Sequence, residues 1–408
     1  MRYEHLPFLL YFRWLASCLT TVKVGCDVGL WLFVGLLVGV LKVEAQPEIT
    51  PAAFTLQAEL NVGRVFKHTP RFMPEIRTNT TITALTLEQP MCGSTAWQRD
   101  FGYPVVGLTL SYADFGEPQI FGNAIALCPN ITFTDRHRQR RFYSWFRHGI
   151  GLAYLTRHYD PATNPTNNVI GSPFNCIVDI RGGAGVVLSP QLELTAGLAF
   201  THYSNGTSTL PNLGINVPAA TVTLRYVPLS AWDYAINRDV GTTNERPDGR
   251  VRVGAYAALA LQEHITPLGP KYPVYIGAIY AERLIGRKHR LFSGFGYEWH
   301  ESFYAFAQHL AEGTPEADPA AALASARNAA TRYEWFVGDE LRFGRVGILG
   351  ELGLYLNPVG EGNDVFYERL AWRYYLPTRH RTEPFVGVQL KAQRAVADYF
   401  SLGVGVAF

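Results

Sequence analysis

The sequence has few charged residues and lacks successive long apolar runs, and both shortages restrict the class of protein. Only 17% of the 408 residues are Asp, Glu, Lys or Arg, against about a quarter in soluble domains. Without successive runs long enough to cross a bilayer, a bundle of membrane-spanning helices is excluded. Basic and acidic residues nearly balance, at 36 and 34, which predicts that the protein has no nucleic-acid partner.

Aromatic residues and glycine, in contrast, are abundant. Aromatic residues make up 13% of the chain, with 22 Tyr and 24 Phe, and there are 38 Gly. This composition favours a membrane β-barrel, in which one face of each strand meets lipid and aromatic girdles mark both interfaces. A large soluble β-sandwich fits the composition equally well, so the pattern along the chain must decide between the two.

The single long apolar run, Val28–Leu41, has about the length of a signal-peptide core. It is followed by Val43–Ala45, whose small residues fit a cleavage site before Gln46. We therefore predict that residues 1–45 are an export signal. Two alternatives remain, a short membrane anchor helix and a lipoprotein signal that ends at Cys18.

Cysteines are scarce, and three of the five follow the predicted signal. Cys92, Cys128 and Cys176 show no metal-ligand spacing, so we expect no metal and no cofactor. An oxidising compartment would allow one disulfide, but the spacing indicates no particular pair. We interpret these cysteines as structural.

The rest of the chain alternates strand and turn in about sixteen segments, an even number as single-chain bacterial barrels prefer. In Gln191–Ser204, for example, the apolar side chains of Leu194, Leu198 and Phe200 alternate with polar or small residues. Such period-two alternation is typical of a half-buried strand. The exception is Pro315–Thr331, which is rich in Ala and predicts a helix in a loop.

The last segment separates the barrel from the sandwich. Its apolar residues alternate from Phe400 to the final Phe408, as in the closing strand of outer-membrane barrels, whose last aromatic residue is read by the barrel assembly machinery. Together with the export signal, this pattern predicts an all-β, antiparallel transmembrane β-barrel in the bacterial outer membrane.

We expect one barrel of about sixteen strands, because a single closed sheet has no exposed edges. Residues 46–228 would form its first half, residues 229–248 a connecting loop, and residues 249–408 the strands that complete it. The alternative is an eight-stranded barrel followed by a second β domain.

A candidate catalytic pair lies at the end of the seventh predicted strand. His202 and Ser204 are two residues apart, so in a strand they project from the same, lipid-facing side. A neutral His can take the proton of a Ser nucleophile, and the turn amides at Asn205 and Gly206 could stabilise an oxyanion. On spacing alone, an interfacial His followed by a Ser-Asn-Gly turn is the better interpretation.

The longer context changes this interpretation. His202-Tyr-Ser-Asn-Gly206, followed by Pro211-Asn-Leu-Gly-Ile-Asn216, resembles the PagL-type lipid A deacylases, particularly their longer members, the acyloxyacyl hydrolases. The resemblance extends over about residues 52–227. It implies an outer-membrane enzyme without cofactor that removes the ester-linked acyl chain at the 3-O position of lipid A.

By position, the resemblance implies that His202 is the general base and Ser204 the nucleophile. Asn205, Gly206 and Asn212 would support the oxyanion or the loop.

The sequence departs from the family at one position. Short members carry a Glu fourteen residues after the His, and here that residue is Asn216. It lies on the adjoining strand and faces the same side as His202. An amide oxygen can accept the imidazole N–H, but loss of a triad carboxylate can cost about 10⁴ in rate.

Two other functions remain open. A sixteen-stranded barrel leaves a water-filled lumen, which allows a porin-like channel, and a non-enzymatic structural barrel could retain the motif. Counting strands places the loop after the seventh strand outside the cell, where lipopolysaccharide of the outer leaflet is the expected partner. A homodimer is also compatible with the sequence.

Overall fold

The computed structural model describes residues 54–136, 140–228, 249–264, 266–312, 318–357, 365–379, 381–393 and 396–408. The predicted export signal and the predicted connecting loop lie outside these residues. No helix in these ranges is long and apolar enough to cross a membrane.

The first eight strands form a closed antiparallel barrel. In chain order they are β1 Thr55–Gly63, β2 Thr80–Pro90, β3 Val105–Asp114, β4 Asn123–Thr134, β5 Phe142–Leu155, β6 Phe174–Ser189, β7 Leu192–Ser204 and β8 Ile215–Tyr226, with the short helix α1 Ala96–Asp100 before β3. Strand β8 pairs back onto β1, with Leu56 opposite Tyr226 and Gly63 opposite Ala219. The loops after β1 and β7 therefore lie at the same end of this barrel.

The remaining eight strands close a second antiparallel barrel. They are β9 Val251–Glu263, β10 Lys271–Ile285, β11 His289–His300, β12 Thr331–Phe343, β13 Val346–Tyr355, β14 Phe366–Tyr375, β15 Glu383–Gln393 and β16 Val396–Ala407. Helices α2 Glu301–Glu312 and α3 Pro319–Ala330 join β11 to β12. Strand β16 closes onto β9, with Ala407 opposite Gly254.

The described residues thus contain the sixteen strands that were predicted, but the expectation of one barrel is wrong. The chain closes twice, which confirms the alternative of an eight-stranded barrel followed by a second β domain. Alternation along a strand gives the same apolar outer face in either arrangement, so it carries no information about which strand closes the sheet. The predicted loop helix is α3, whereas α2 was not predicted.

The predicted alternation of side chains is present in β7. Leu198 is 73% exposed on the outer face, and Leu194 and Phe200 lie on the same face. Glu193 and Thr201 on the other face are buried inside the barrel. The apolar face therefore points outward, as a strand surrounded by lipid requires.

Charged side chains fill the interior of the first barrel. Arg147 makes two hydrogen bonds of 2.6 Å to the carboxylate of Glu59, which also accepts from Arg181. Arg181 in turn binds Asp179 at 2.7 Å. Buried charges persist only when they are paired in this way, and an eight-stranded barrel is just wide enough for such side chains to fill.

The second barrel has a similar interior. Lys391 is fully buried and lies 2.7 Å from Glu298. Arg369 reaches both Glu298, at 3.0 Å, and Glu351. Each charge in this cluster is therefore paired inside the barrel.

At the end of the first barrel where β7 stops, the interior becomes apolar. Phe115, Phe121 and Tyr203 are completely buried there. The ring of Tyr203 meets Phe115 edge-on, with 5.4 Å between the ring centroids. Because Tyr203 is held inside, its neighbours His202 and Ser204 must project from the outer face of the strand.

Candidate active site

The predicted catalytic residues lie where β7 ends and β8 begins. His202 and Asn216 are register partners in the ladder between these strands. Both project from the outer face, as does Ser204, two residues further along β7. The site therefore lies on the outer face of the barrel, at the same end as the loop that follows β1.

A chain of three polar side chains crosses this surface. The Nδ1 atom of His202 lies 2.6 Å from Oδ1 of Asn216, and Nδ2 of Asn216 lies 3.1 Å from Nδ1 of His68. Since an amide oxygen can only accept, Nδ1 of His202 carries the proton and Nε2 is left with a free lone pair. This is the tautomer that a general base requires.

Gly214, just before β8, makes room for the imidazole. A Cβ atom at this position would lie 2.8 Å from Cε1 of His202. The φ angle of Gly214 is 78°, which L residues with a side chain rarely adopt. Glycine is therefore required here both by the backbone and by the ring of His202.

Ser204 is almost completely buried, with 2% of its surface exposed. Its Oγ atom accepts a hydrogen bond of 3.1 Å from the backbone N–H of Gly206 and one of 2.9 Å from Nδ2 of Asn212. Two donors thus converge on the hydroxyl oxygen. Such a pair of donors is suited to the stabilisation of negative charge at this position.

Asn205 and Asn212 also form hydrogen bonds within the loop after β7. The backbone N–H of Asn205 donates to Oδ1 of Asn212 at 3.1 Å. The side-chain amide of Asn205 donates to Oγ of Ser172 and to the carbonyl of Thr209, both at 2.9 Å. Asn205 therefore shapes the loop, while Asn212 both shapes the loop and contacts Ser204.

The residues form two groups. One is His68, Asn216 and His202, and the other is Ser204 with Gly206 and Asn212. Within the described part of the chain, no hydrogen bond joins the ring of His202 to Oγ of Ser204. Hydrogen bonds of catalytic residues are commonly long in the absence of substrate and shorten when it binds.

Sequence reasoning missed His68, and it predicted no site role for Ser172 or Gly214, although both lie in segments that resemble the family. His68 follows β1 and reaches Asn216 only because β1 pairs with β8. A sixteen-stranded barrel would place β1 beside the last strand, so the eight-stranded alternative was the signal that could have found His68. Gly214 carried a visible signal, since a glycine directly before a strand often marks a turn. Ser172 ends the segment Asn168–Ser172, which resembles the family, but its contact with Asn205 could not be predicted from the sequence.

Two family models match the chain, one in each barrel. The model described as lipid A 3-O-deacylase (PagL) matches residues 83–225. The model described as acyloxyacyl hydrolase, C-terminal domain, matches residues 236–408. Comparison with curated proteins gives no match.

Among solved structures, the outer-membrane enzyme PagL is 16% identical, with a TM-score of 0.29, and the match covers 42% of this chain and 99% of PagL. A mutant porin of Rh. blastica is 8% identical, with a TM-score of 0.16, over 87% of this chain and 99% of the porin. Omp33 of Acinetobacter baumannii is 8% identical, with a TM-score of 0.15, over 88% of this chain and 97% of Omp33. In both barrels the chain thus resembles the PagL-type lipid A deacylase and acyloxyacyl hydrolase family, over residues 83–225 and 236–408.

Proposed function

We propose that the protein hydrolyses an ester-linked acyl chain of lipid A, with Ser204 as nucleophile, His202 as general base and Asn216 as the residue that orients the base. The observation that carries this proposal is the hydrogen bond of 2.6 Å between His202 and Asn216, on the outer face beside Ser204. The family supports the ester at the 3-O position as the one that is cut.

In the first step, Nε2 of His202 takes the hydroxyl proton as Oγ of Ser204 attacks the ester carbonyl carbon. This requires the two side chains to approach by rotation, because alternate residues of a strand have Cα atoms on the order of 6–7 Å apart. Asn216 keeps the imidazole in the correct tautomer during the step. The carbonyl oxygen becomes an oxyanion.

The donors on Oγ are suited to receive that oxyanion. The N–H of Gly206 and Nδ2 of Asn212 lie close to Oγ, and an oxyanion forms two bonds away from this atom. On collapse of the intermediate, the sugar oxygen leaves with the proton held by His202. Water, activated by the same base, then attacks the acyl-enzyme and releases the fatty acid.

The position of the site fits a membrane lipid as substrate. The protein is an outer-membrane β-barrel, and His202 and Ser204 project from the barrel exterior rather than from its interior. Lipid A of the outer leaflet could therefore approach this face of the barrel without leaving the membrane. This arrangement requires the loop after β7 to face outward, as the strand count predicts.

A channel is less well supported than an enzyme. The channel hypothesis depended on the wide lumen of a sixteen-stranded barrel, whereas both eight-stranded interiors hold paired charges such as Arg147 with Glu59 and Lys391 with Glu298.

Recognition of Phe408 by the barrel assembly machinery and formation of a homodimer stay predictions.

Mass spectrometry of lipid A from cells that express the protein tests the proposal. The wild type should yield a species that lacks one ester-linked acyl chain, and both Ser204→Ala and His202→Ala should abolish it. Ser208→Ala, in the same loop, is the matched control and should leave the species unchanged. An unaltered lipid A profile with correctly inserted wild-type protein would refute the enzyme, and ion conductance in planar bilayers would then favour the channel.

A further inference from the structure

Residues of the second barrel form hydrogen bonds with the loop after β7, which carries the proposed oxyanion donors. Glu263, the last residue of β9, is buried, and its Oε2 atom accepts the backbone N–H of Leu210 at 2.7 Å. The same oxygen accepts the N–H of Leu268 at 3.2 Å. The backbone N–H of Glu263 donates to the carbonyl of Thr207 at 3.1 Å, so this residue binds the loop at two points.

Further residues of the second barrel also contact this loop. Nζ of Lys271 donates to Oγ1 of Thr209 at 3.2 Å, and the hydroxyl of Thr207 donates to the carbonyl of Asp398. A Cβ atom at Gly206 would collide with the ring of Phe400. Strands β9, β10 and β16 therefore all contribute to the surface against which the loop rests.

We propose that Glu263 is a positioning residue for the deacylation, supplied by the second barrel to hold the loop of residues 205–214 in its catalytic shape. The proposal rests on the function proposed above. It assigns the second barrel a role in the reaction although Ser204, His202 and Asn216 all belong to the first.

The position of the bond explains how the effect reaches the serine. Leu210 precedes Asn212 by two residues, and Asn212 donates to Oγ of Ser204 at 2.9 Å. Asn212 also holds the N–H of Asn205, next to the Gly206 amide. A carboxylate is a strong acceptor for backbone N–H groups, so Glu263 fixes the segment from which both donors arise.

The barrels also touch at their other ends, and this contact offers a control. Asp100, at the end of α1, lies 2.7 Å from Arg287 in the turn after β10. The ring of Phe101 packs on Phe343, with 4.4 Å between centroids. Both contacts lie at the end of the barrels opposite to the site, since Asp100 and Phe101 follow β2, Arg287 follows β10, and Phe343 ends β12.

The experiment compares Glu263→Ala, Glu263→Gln and Asp100→Ala in the full-length protein, with folding checked by heat-modifiable gel mobility. Glu263→Ala should lower kcat for deacylation of lipid A in detergent micelles by about 10- to 100-fold, the range expected when catalytic groups shift by roughly 1 Å. KM should change little. Glu263→Gln keeps an oxygen acceptor and should restore most of the rate, whereas Asp100→Ala should match the wild type.

Hydrogen exchange separates this proposal from the proposed function. The amides of Gly206 and Leu210 should exchange faster in Glu263→Ala than in the wild type and in Asp100→Ala, whether or not the protein has deacylase activity. Unchanged exchange, or equal losses of rate in Glu263→Ala and Asp100→Ala, would overturn the positioning role. An inactive wild type with faster exchange in Glu263→Ala would instead overturn the proposed function.

Discussion

Oδ1 of Asn216 lies 2.6 Å from Nδ1 of His202, its register partner across the ladder between β7 and β8. The amide therefore orients the imidazole as a carboxylate would. Being neutral, it adds no negative charge to stabilise the imidazolium that the proposed mechanism forms at His202. In this site, Asn216 can orient the imidazole of His202 without stabilising its positive charge.

The substitution Asn216→Glu should leave kcat unchanged or raise it, because the carboxylate keeps the acceptor and adds the charge. The upper limit is the factor of about 10⁴ that the reverse change costs a serine protease. Initial rates of acyl release from lipid A in micelles measure the effect. A collapse of activity in a folded protein would mean that the site is fitted to the amide.

His68→Ala should lower kcat by about fivefold, since one neutral hydrogen bond contributes about 1 kcal/mol. The imidazole of His68 accepts from Nδ2 of Asn216 and so keeps Oδ1 turned toward His202. A carboxylate has two equivalent oxygens and needs no such partner. In the Asn216→Glu background the same change should therefore have no effect, and a double-mutant cycle measures this difference.

Gly214→Ala should reduce kcat by at least about tenfold, because the new methyl group would displace the ring of His202. The substitution also strains a backbone with φ of 78°. Gly102→Ala is the matched control, because its φ is 74° and its Cβ would meet nothing within 4 Å. Equal losses of activity in both variants, with equal losses of thermal stability, would contradict a specific contact with His202.

Much of the fold could be predicted because apolar and polar residues alternate along the sequence of each strand. Leu198 and Phe200 on the outer face and Glu193 inside follow from period two alone. The parity of Asn216 also gave its place beside His202 correctly, since neighbours on adjoining strands share a face. Closure of the barrel could not be read in this way, because it depends on pairing between β1 and β8, far apart in the chain.

The candidate site was predictable only where it is local. His202, Ser204, Asn212 and Asn216 fall within one hairpin, so strand geometry and the family resemblance sufficed to group them. His68 and Glu263 come from distant segments, and their contacts with this hairpin exist only after two separate closures of the sheet. Hydrogen bonds between such distant segments produce no periodic pattern in the sequence.

The pairing of β1 with β8 has a consequence for biogenesis. During insertion, His68 cannot contact Asn216 until β1 has paired with β8. Under the proposed function, the contribution of His68 to the rate therefore requires the closed first barrel.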